Sequence, residues 1–285
     1  MNAMMKIALA TGADMPIPAA DAPLLEAAFQ EMGCGVEHPV WSDPAVDWAA
    51  YDAVLPSSTW DYHDHLDDFL AWADRVNGIT RLFNTPKTLG WNSRKNYINR
   101  FAVAGVKVVP SLVIRPTSHY TLQRLRMFLG AERLVMKPVV GAGAQGIVVL
   151  DPEDEAGYQE VKAGGEYIAQ PFLDSVHQGE TSLTMIEGKL SHAVKKLPKS
   201  GDFRVQEEWG GSIEHHVPTE FEQEMGGILM WMLAEMPLYA RVDMVEFEGR
   251  PALMELELIE PDLHLRHCAG SAEALARATL ARIKA

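Results

Sequence analysis

The chain has 285 residues, 47% of them hydrophobic, and a formal net charge of −14, so it can bury a substantial core as two or three compact units. That acidity, without basic patches, argues against nucleic-acid and acidic-membrane partners. Cys34 and Cys268 are far apart and in no ligand-like spacing, which excludes a disulfide framework and a zinc site; with no signal-peptide core and no membrane-length apolar run, a reducing cytoplasm is the expected location.

From Lys6 to about Thr85, short apolar runs alternate with amphipathic ones. Lys6–Ala10, Val36–Val40, Ala53–Leu55 and Leu82–Asn84 read as strands, and Ala22–Met32 and His65–Val76 as helices. This is the βαβ signature of an open, mostly parallel sheet, whose ligands sit beyond the carboxyl ends of strands. Two loops qualify: Thr11-Gly12-Ala13-Asp14, and Ser57-Ser58-Thr59-Trp60-Asp61-Tyr62. The second combines hydroxyls, an indole and a carboxylate, which suits a small polar molecule carrying an amine; a capped helix entry with packed aromatics accounts for the same residues. Thr11, Thr59, Trp60, Asp61 and Tyr62 are the candidate substrate contacts. His63 and His65 fit either a metal pair or a solvated helix start.

Pro86 is expected to close this unit. Asn92-Ser93-Arg94-Lys95 should begin a helix, with Asn92 or Ser93 as its cap, that runs to about Ala104 and ends at Gly105. Lys95 in its first turn opposes the helix dipole unless it faces an anion. A strand over Val108–Val113 and a helix over Leu122–Leu129 continue the chain. In RLVMKPVVGAGAQGIVVL, from Arg133 to Leu150, Gly141, Gly143 and Gly146 match G-x-G-x-x-G. A dinucleotide loop should open a helix, yet Ile147–Leu150 reads as a strand, and a Walker loop would need Gly-Lys-Ser/Thr. What remains is a glycine-rich hairpin able to cover a triphosphate. Lys137 precedes it in an apolar strand, where a phosphate partner explains a lysine better than snorkelling does. The string also fits a protein-kinase nucleotide loop, but the lysine stands before it and neither His-Arg-Asp nor Asp-Phe-Gly is present.

Tyr167–Leu173 ends a strand and enters a connection before Gly179-Glu180. The segment AVKKLPKSGDFRVQ, from Ala193 to Gln206, brings Lys196 and Arg204 into an acidic protein; a mobile, solvated loop is its plain alternative. Phe221–Leu233 reads as a core helix with packing methionines, and Ser271–Ile283 as a closing helix. His264 and His267, three apart, lack a third obvious ligand and are structural or substrate-side.

The most informative stretch is YARVDMVEFEGRPALMELELIEP, from Tyr239 to Pro261. Alternating apolar residues on both sides of a glycine predict two strands with a turn at Glu248, Gly249 and Arg250. Centred on Gly249, the hairpin sets Asp243 opposite Glu255 and Arg241 opposite Glu257 on one face. Three carboxylates in an apolar setting call for a cation, and hard oxygen ligands point to Mg2+ or Mn2+, which in turn carries a substrate phosphate. An edge hairpin with solvated acids is the alternative.

Taken together, these residues resemble the ATP-grasp superfamily over nearly the whole chain. The resemblance is nearest to RimK-type glutamate ligases and bacterial glutathione synthetases, through AVKKLPKSGDFRVQ. The Ser-Thr-Trp-Asp-Tyr loop and Glu-Leu-Glu-Leu-Ile-Glu-Pro are similar to a branch that includes the cyclo-ligase of cycloserine biosynthesis, although Ser57 stands where that branch commonly has an arginine. The implied fold class is α/β with α+β subdomains: an N-terminal α/β domain (1–92), a small lid subdomain (93–170) and a C-terminal subdomain with the metal site (171–285), clamping ATP. By this resemblance Lys95 and Lys137 contact ATP phosphates under Gly141, Gly143 and Gly146. Gln170, Pro171, Phe172 and Leu173 would meet adenine, Glu180 ribose, and Asp243, Glu255 and Glu257 magnesium. Lys196, Arg204 and Arg241 are the candidate catalytic cations. The implied activity is an ATP-dependent carboxylate–amine ligation through an acyl phosphate on amino-acid-like substrates, with ring closure of one substrate, or a nucleotide-binding regulator without turnover, as alternatives. A homo-oligomer is expected.

Overall fold

The computed structural model describes residues 4–13 and 20–285; Asp14, in the first candidate loop, lies outside the described residues. The chain opens with β1 (Lys6–Thr11), α1 (Ala22–Glu31), β2 (Gly35–Glu37), β3 (Ala53–Ser58), α2 (Leu66–Asn77) and β4 (Arg81–Leu82), which form a parallel sheet in the order β2-β1-β3-β4. β1 is apolar from Ile7 to Ala10 because both its faces are covered there. Ile7 and Leu9 pack on α1, while Ala8 and Ala10 face Trp41, Phe69 and Trp72. β2 is shorter than expected, and Val40 makes only a single bridge to Thr11.

The next segment departs from the sequence reading. Pro86 does not close the unit but opens a helix, α3 (Pro86–Asn92), at a position where its missing N–H costs nothing, with Thr85 as cap. Asn92 is therefore the end of one helix and not the cap of the next. It is buried, and it donates to Leu256 O and accepts from Leu258 N, each at 2.8 Å. Lys95 begins a single tight turn ahead of α4 (Ile98–Val103), and Lys95 N donates to Val139 O. A cap assignment and a buried bridging role call for the same side chain, so local pattern could not separate them.

β5 (Leu112–Ile114), α5 (Leu122–Leu129), β6 (Leu134–Pro138), β7 (Val148–Leu150), α6 (Glu155–Gly164) and β8 (Tyr167–Pro171) follow, with an antiparallel sheet ordered β5-β8-β6-β7. The strand expected from Val108 starts only at Leu112, because Val108 bridges Leu253 instead. The glycine stretch is a hairpin: Leu134 pairs with Leu150 and Met136 with Val148. At its tip Gly143 (φ 59°) and Gly146 (φ 69°) adopt left-handed backbone that glycine accepts without strain.

The last sheet runs β9 (Glu180–Ile186), β10 (Lys189–Leu197), β11 (Ser212–His216), then after α7 (Glu220–Met232), β12 (Tyr239–Phe247) and β13 (Arg250–Glu257), in the order β11-β10-β9-β12-β13. Thr219 and Glu222 close a capping box at the start of α7. α8 (Ser271–Lys284) returns to the first sheet, and its Leu275 and Leu280 complete the core around Ile7 and Leu9. Among the described residues no helix is long and apolar enough to cross a membrane.

Asn84 joins the first sheet to the last. Its amide donates to Tyr239 O (3.0 Å) and Leu258 O (2.8 Å) and accepts from Leu238 N (2.6 Å), all buried. Asn84→Ala should cost about 2–4 kcal/mol by stranding those main-chain groups. Urea denaturation checks this, and a loss below about 1 kcal/mol would mean that water replaces the amide.

Candidate active site

A cavity of about 440 Å3 opens where the glycine hairpin, the last sheet and the loop after β3 meet, and a second of about 80 Å3 adjoins it through Lys137 and Glu180. The hairpin β12–β13 supplies the acids. Its turn is tighter than the sequence suggested: only Glu248 (φ 53°) and Gly249 (φ 73°) form it, and Arg250 already pairs with Phe247. Two successive left-handed residues are the turn that matches strand twist. Continued unbroken, that register would set Asp243 against Met254 and turn Glu255 and Glu257 to the opposite face. An irregularity between Asp243 and Met244 restores the expected pairs, Asp243 with Glu255 and Arg241 with Glu257. The extra residue, Met254, is a β-bulge placed where the site needs it.

Carboxylate oxygens of Asp243, Glu255 and Glu257 lie within 4.8 Å of one another. Cations surround them. Lys95 Nζ contacts Glu255 (2.5 Å) and Gly141 O (2.9 Å), Lys196 Nζ contacts Glu180 (2.5 Å) and Asp243 (3.3 Å), and Arg241 pairs with Asp243 (2.9 Å) and Glu257. Ser182 Oγ adds a hydrogen bond to Asp243. Lys137 faces the same cavity but holds no ion pair among the described residues.

These contacts set the charge states. Burial alone would depress the Lys95 ammonium, yet Glu255, with Glu257 and Glu260 behind it, holds it above the ordinary lysine value. Burial does depress Lys137, whose acids are too far to offset it. For Asp243 the attraction of Arg241 and Lys196 outweighs burial, so its carboxyl stays below the usual range. Burial, reinforced by Glu255 and Asp243 against the pull of Arg241, pushes Glu257 up to about 7. Hard oxygen donors this close, each tied to a cation that can be exchanged, are a donor set that fits Mg2+ or Mn2+.

The remaining candidates divide by position. Gly141 and Gly143 line the large cavity, whereas Gly146 does not, and a side chain there would meet Pro138. Gln170, Pro171, Phe172, Leu173 and Glu180 line the smaller one, as does Arg204. Arg204 is committed to Asp202 (2.7 Å) and lies over the Trp209 ring at 3.7 Å. Trp60 and Tyr62 line the large cavity; Thr11, Thr59 and Asp61 do not. Asp61 accepts from Ala13 N and Trp41 Nε1, each at 2.7 Å, and so fixes the loop after β1. Thr11 Oγ1 donates to Pro39 O, and Thr59 is fully buried.

Residues 101–248 match the family model described as prokaryotic glutathione synthetase, ATP-grasp domain, and residues 7–84 match the model described as D-cycloserine synthetase DcsG, N-terminal domain. The chain belongs to the ATP-grasp ligase family. It is 31% identical over 302 residues to the cycloserine biosynthesis protein DcsG of Streptomyces lavendulae, covering 98% of this chain and 99% of that one. The crystal structure of D-cycloserine synthetase DcsG superposes with a TM-score of 0.86 at 29% identity, over 98% and 99% of the two chains. D-alanine–D-alanine ligase from Bacillus anthracis complexed with ATP shares the fold, with a TM-score of 0.68 at 15% identity over 99% and 98%. This ATP-grasp protein is accordingly an ATP-dependent C–N ligase.

Sequence reading passed over three residues of the ligase cavity: Tyr97, Glu260 and Asp262. A glutamate before a proline resembles any strand end, and nothing local marks Glu260 as inward. His264 also lines the cavity and is 3% exposed; its Nδ1 is 3.3 Å from Asp262, but neither ring nitrogen makes a hydrogen bond among the described residues. Burial, with Arg241 and Lys196 adding and Asp262 opposing, lowers its pKa to about 4. An unfolded histidine binds its proton near pH 6.5, so the unfolded state gains a proton that the fold resists, and stability falls as pH drops through that window. The loss at pH 4.5 should be about 2 kcal/mol. Denaturation at pH 7.5 and 4.5 of the natural protein and His264→Gln checks this: the difference between them should shrink by that amount, and an unchanged difference would mean that the buried ring already carries its proton.

Proposed function

We propose that this ligase moves the terminal phosphoryl group of ATP to the carboxylate of a small amino-acid-like substrate and hands the resulting acyl group to an amine. The supporting observation is Lys137, a half-buried cation without an ion-pair partner among the described residues, in one cavity with three carboxylates that lie within 4.8 Å. Lys95 and Lys137 would hold the phosphates, Gly141 and Gly143 would close over them, and Gln170 to Leu173 with Glu180 would take the nucleoside in the smaller cavity. Asp243, Glu255 and Glu257 would hold Mg2+, which offsets phosphate charge and keeps the transferring group in line.

In the first step a substrate carboxylate oxygen bonds to the γ-phosphorus and ADP leaves, giving an acyl phosphate. In the second, an amine bonds to that carbonyl, its proton is lost and phosphate departs. Arg241, held at the cavity wall by Asp243 and Glu257, is positioned to stabilise the oxyanion between these events. Lys196, also in the cavity, balances Asp243 and Glu180. Arg204 lines the nucleoside side, so we assign it to nucleotide contact ahead of oxyanion stabilisation. The hairpin excludes water, to which an acyl phosphate would otherwise be lost. Likeness to DcsG over the whole length favours a second reading, in which acid and amine belong to one molecule and the product is a ring.

A coupled ADP-release screen over amino acids and small carboxylates, with product masses, tests both readings: two organic reactants per product indicate ligation, one less a water indicates closure, and no substrate-dependent ADP rejects both. Lys137→Met should lower kcat/KM by roughly 10²–10³-fold with the denaturation midpoint unchanged; full activity would remove Lys137 from the phosphate site. Glu255→Gln should raise the Mg2+ needed for half-maximal rate at least about tenfold, and an unaltered metal titration would reject Glu255 as a ligand.

A further inference from the structure

Glu260 is 7% exposed and faces the large cavity. Its carboxylate makes no ion pair and no hydrogen bond to another residue among the described residues; Trp60 Nε1 reaches only its main-chain oxygen, at 3.2 Å. The neighbouring acids differ. Glu180 is matched by Lys196, Asp243 by Arg241, Glu255 by Lys95 and Asp262 by Arg266 at 2.9 Å. The nearest cation to bear on Glu260 is Lys95, already held by Glu255 and Gly141 O. A buried carboxylate with no counter-charge is costly unless something brings one.

The walls around Glu260 specify what that is. Trp60 and Tyr62 line the same cavity, and Glu260 is the nearest charge felt by the Tyr62 phenol, which burial and then that charge push upward. Aromatic faces beside a carboxylate attract a cation and give a second anion nothing. Mg2+ is served elsewhere, by the three acids that converge, a cluster that does not include Glu260. Only Leu258 and Ile259 separate Glu257 from Glu260, so their Cα atoms lie at most about 10 Å apart, and Glu257 is the charge that bears most on the Glu260 carboxyl.

We propose that Glu260, with Trp60 and Tyr62 beside it, is the subsite for the ammonium group of an α-amino-acid substrate, an inference that rests on the ligase reading above. The carboxylate to be activated shares its α-carbon with that ammonium, so it lies beside the subsite, on the side of Lys95, the cation that bears most on Glu260. Glu260 sets specificity and does not take part in phosphoryl transfer. Burial and Glu257 keep its carboxyl well above the usual range in the empty cavity; an ammonium brought against it restores the ionised form.

The test uses the full chain with Mg2+ and a non-hydrolysable ATP analogue. Melting temperature is followed on adding the common α-amino acids as both enantiomers, beside their desamino acids, such as propanoate for alanine and 3-hydroxypropanoate for serine. The analogue alone should raise the melting temperature, and no rise there is a failure of the ligase reading itself. Given that rise, at least one amino acid should add to it where its desamino acid does not, and Glu260→Gln should weaken that amino acid by roughly tenfold or more while half-saturating Mg2+ stays within about twofold. The subsite is rejected if no amino acid surpasses its desamino acid, or if Glu260→Gln binds both as the natural protein does. A raised Mg2+ requirement in Glu260→Gln instead places that carboxylate with the metal acids, which also overturns the proposal.

Discussion

The constraint on which the site depends is a one-residue irregularity in a hairpin. Side chains alternate faces along a strand, so the turn at Glu248-Gly249 commits every later residue of β13 to one side or the other. Without the bulge at Met254, Glu255 and Glu257 would face away from Asp243. With it, three carboxylates converge to within 4.8 Å and the apolar residues between them still reach the core. The cluster is repulsive by itself, and Arg241, Lys95 and Lys196 are what make it tolerable.

The supports of that hairpin come from far along the chain. Asn92 binds both edges of Leu256–Leu258, Tyr97 hydroxyl accepts from Leu256 N at 3.0 Å, and Asn84 holds Leu258 O. Each is a buried amide or phenol serving main-chain groups that have lost their ladder partner at the strand end, where an unpaired carbonyl or N–H would be costly. Further bonds tie the first sheet to the last, since Trp60 Nε1 donates to Glu260 O and the Tyr239 hydroxyl lies 3.2 Å from Pro56 O of β3. The substrate-side loop and the acidic strand are thereby held as one frame.

Much of this was legible in the chain because it follows from period and composition. β1, β3 and α2 stand where alternating and amphipathic patterns put them, and α5 coincides with its expected bounds. The glycine hairpin was readable because Ile147–Leu150 is β-branched and short, which excluded a helix after the loop. The site register came out as expected through an assumed three-residue turn; the protein reaches it by a two-residue turn and a bulge. What could not be read is what depends on distant partners. Asn92 looks like a cap, and Pro86 like a stop, until the backbone they serve is in view. Asp61, a polar residue at a strand mouth, turned out to bind Ala13 N and Trp41 Nε1, and its motif offers no sign of that.

Among the described residues most of the buried charges of the site are matched by a neighbour, and Lys137 and Glu260 stand apart from them. Lys95, Lys196 and Arg241 are each held by acids, so an anion that entered beside them would exchange partners already in place and no charge would be stripped bare. Among the described residues Lys137 makes no ion pair with an acid, and Glu260 none with a cation. An unpaired cation near a glycine hairpin suits an anion, and an unpaired carboxyl in a cavity also lined by Trp60 and Tyr62 suits a cation. Both groups line one cavity, so an anion drawn to Lys137 and an ammonium drawn to Glu260 would fix which way round the bound molecules lie.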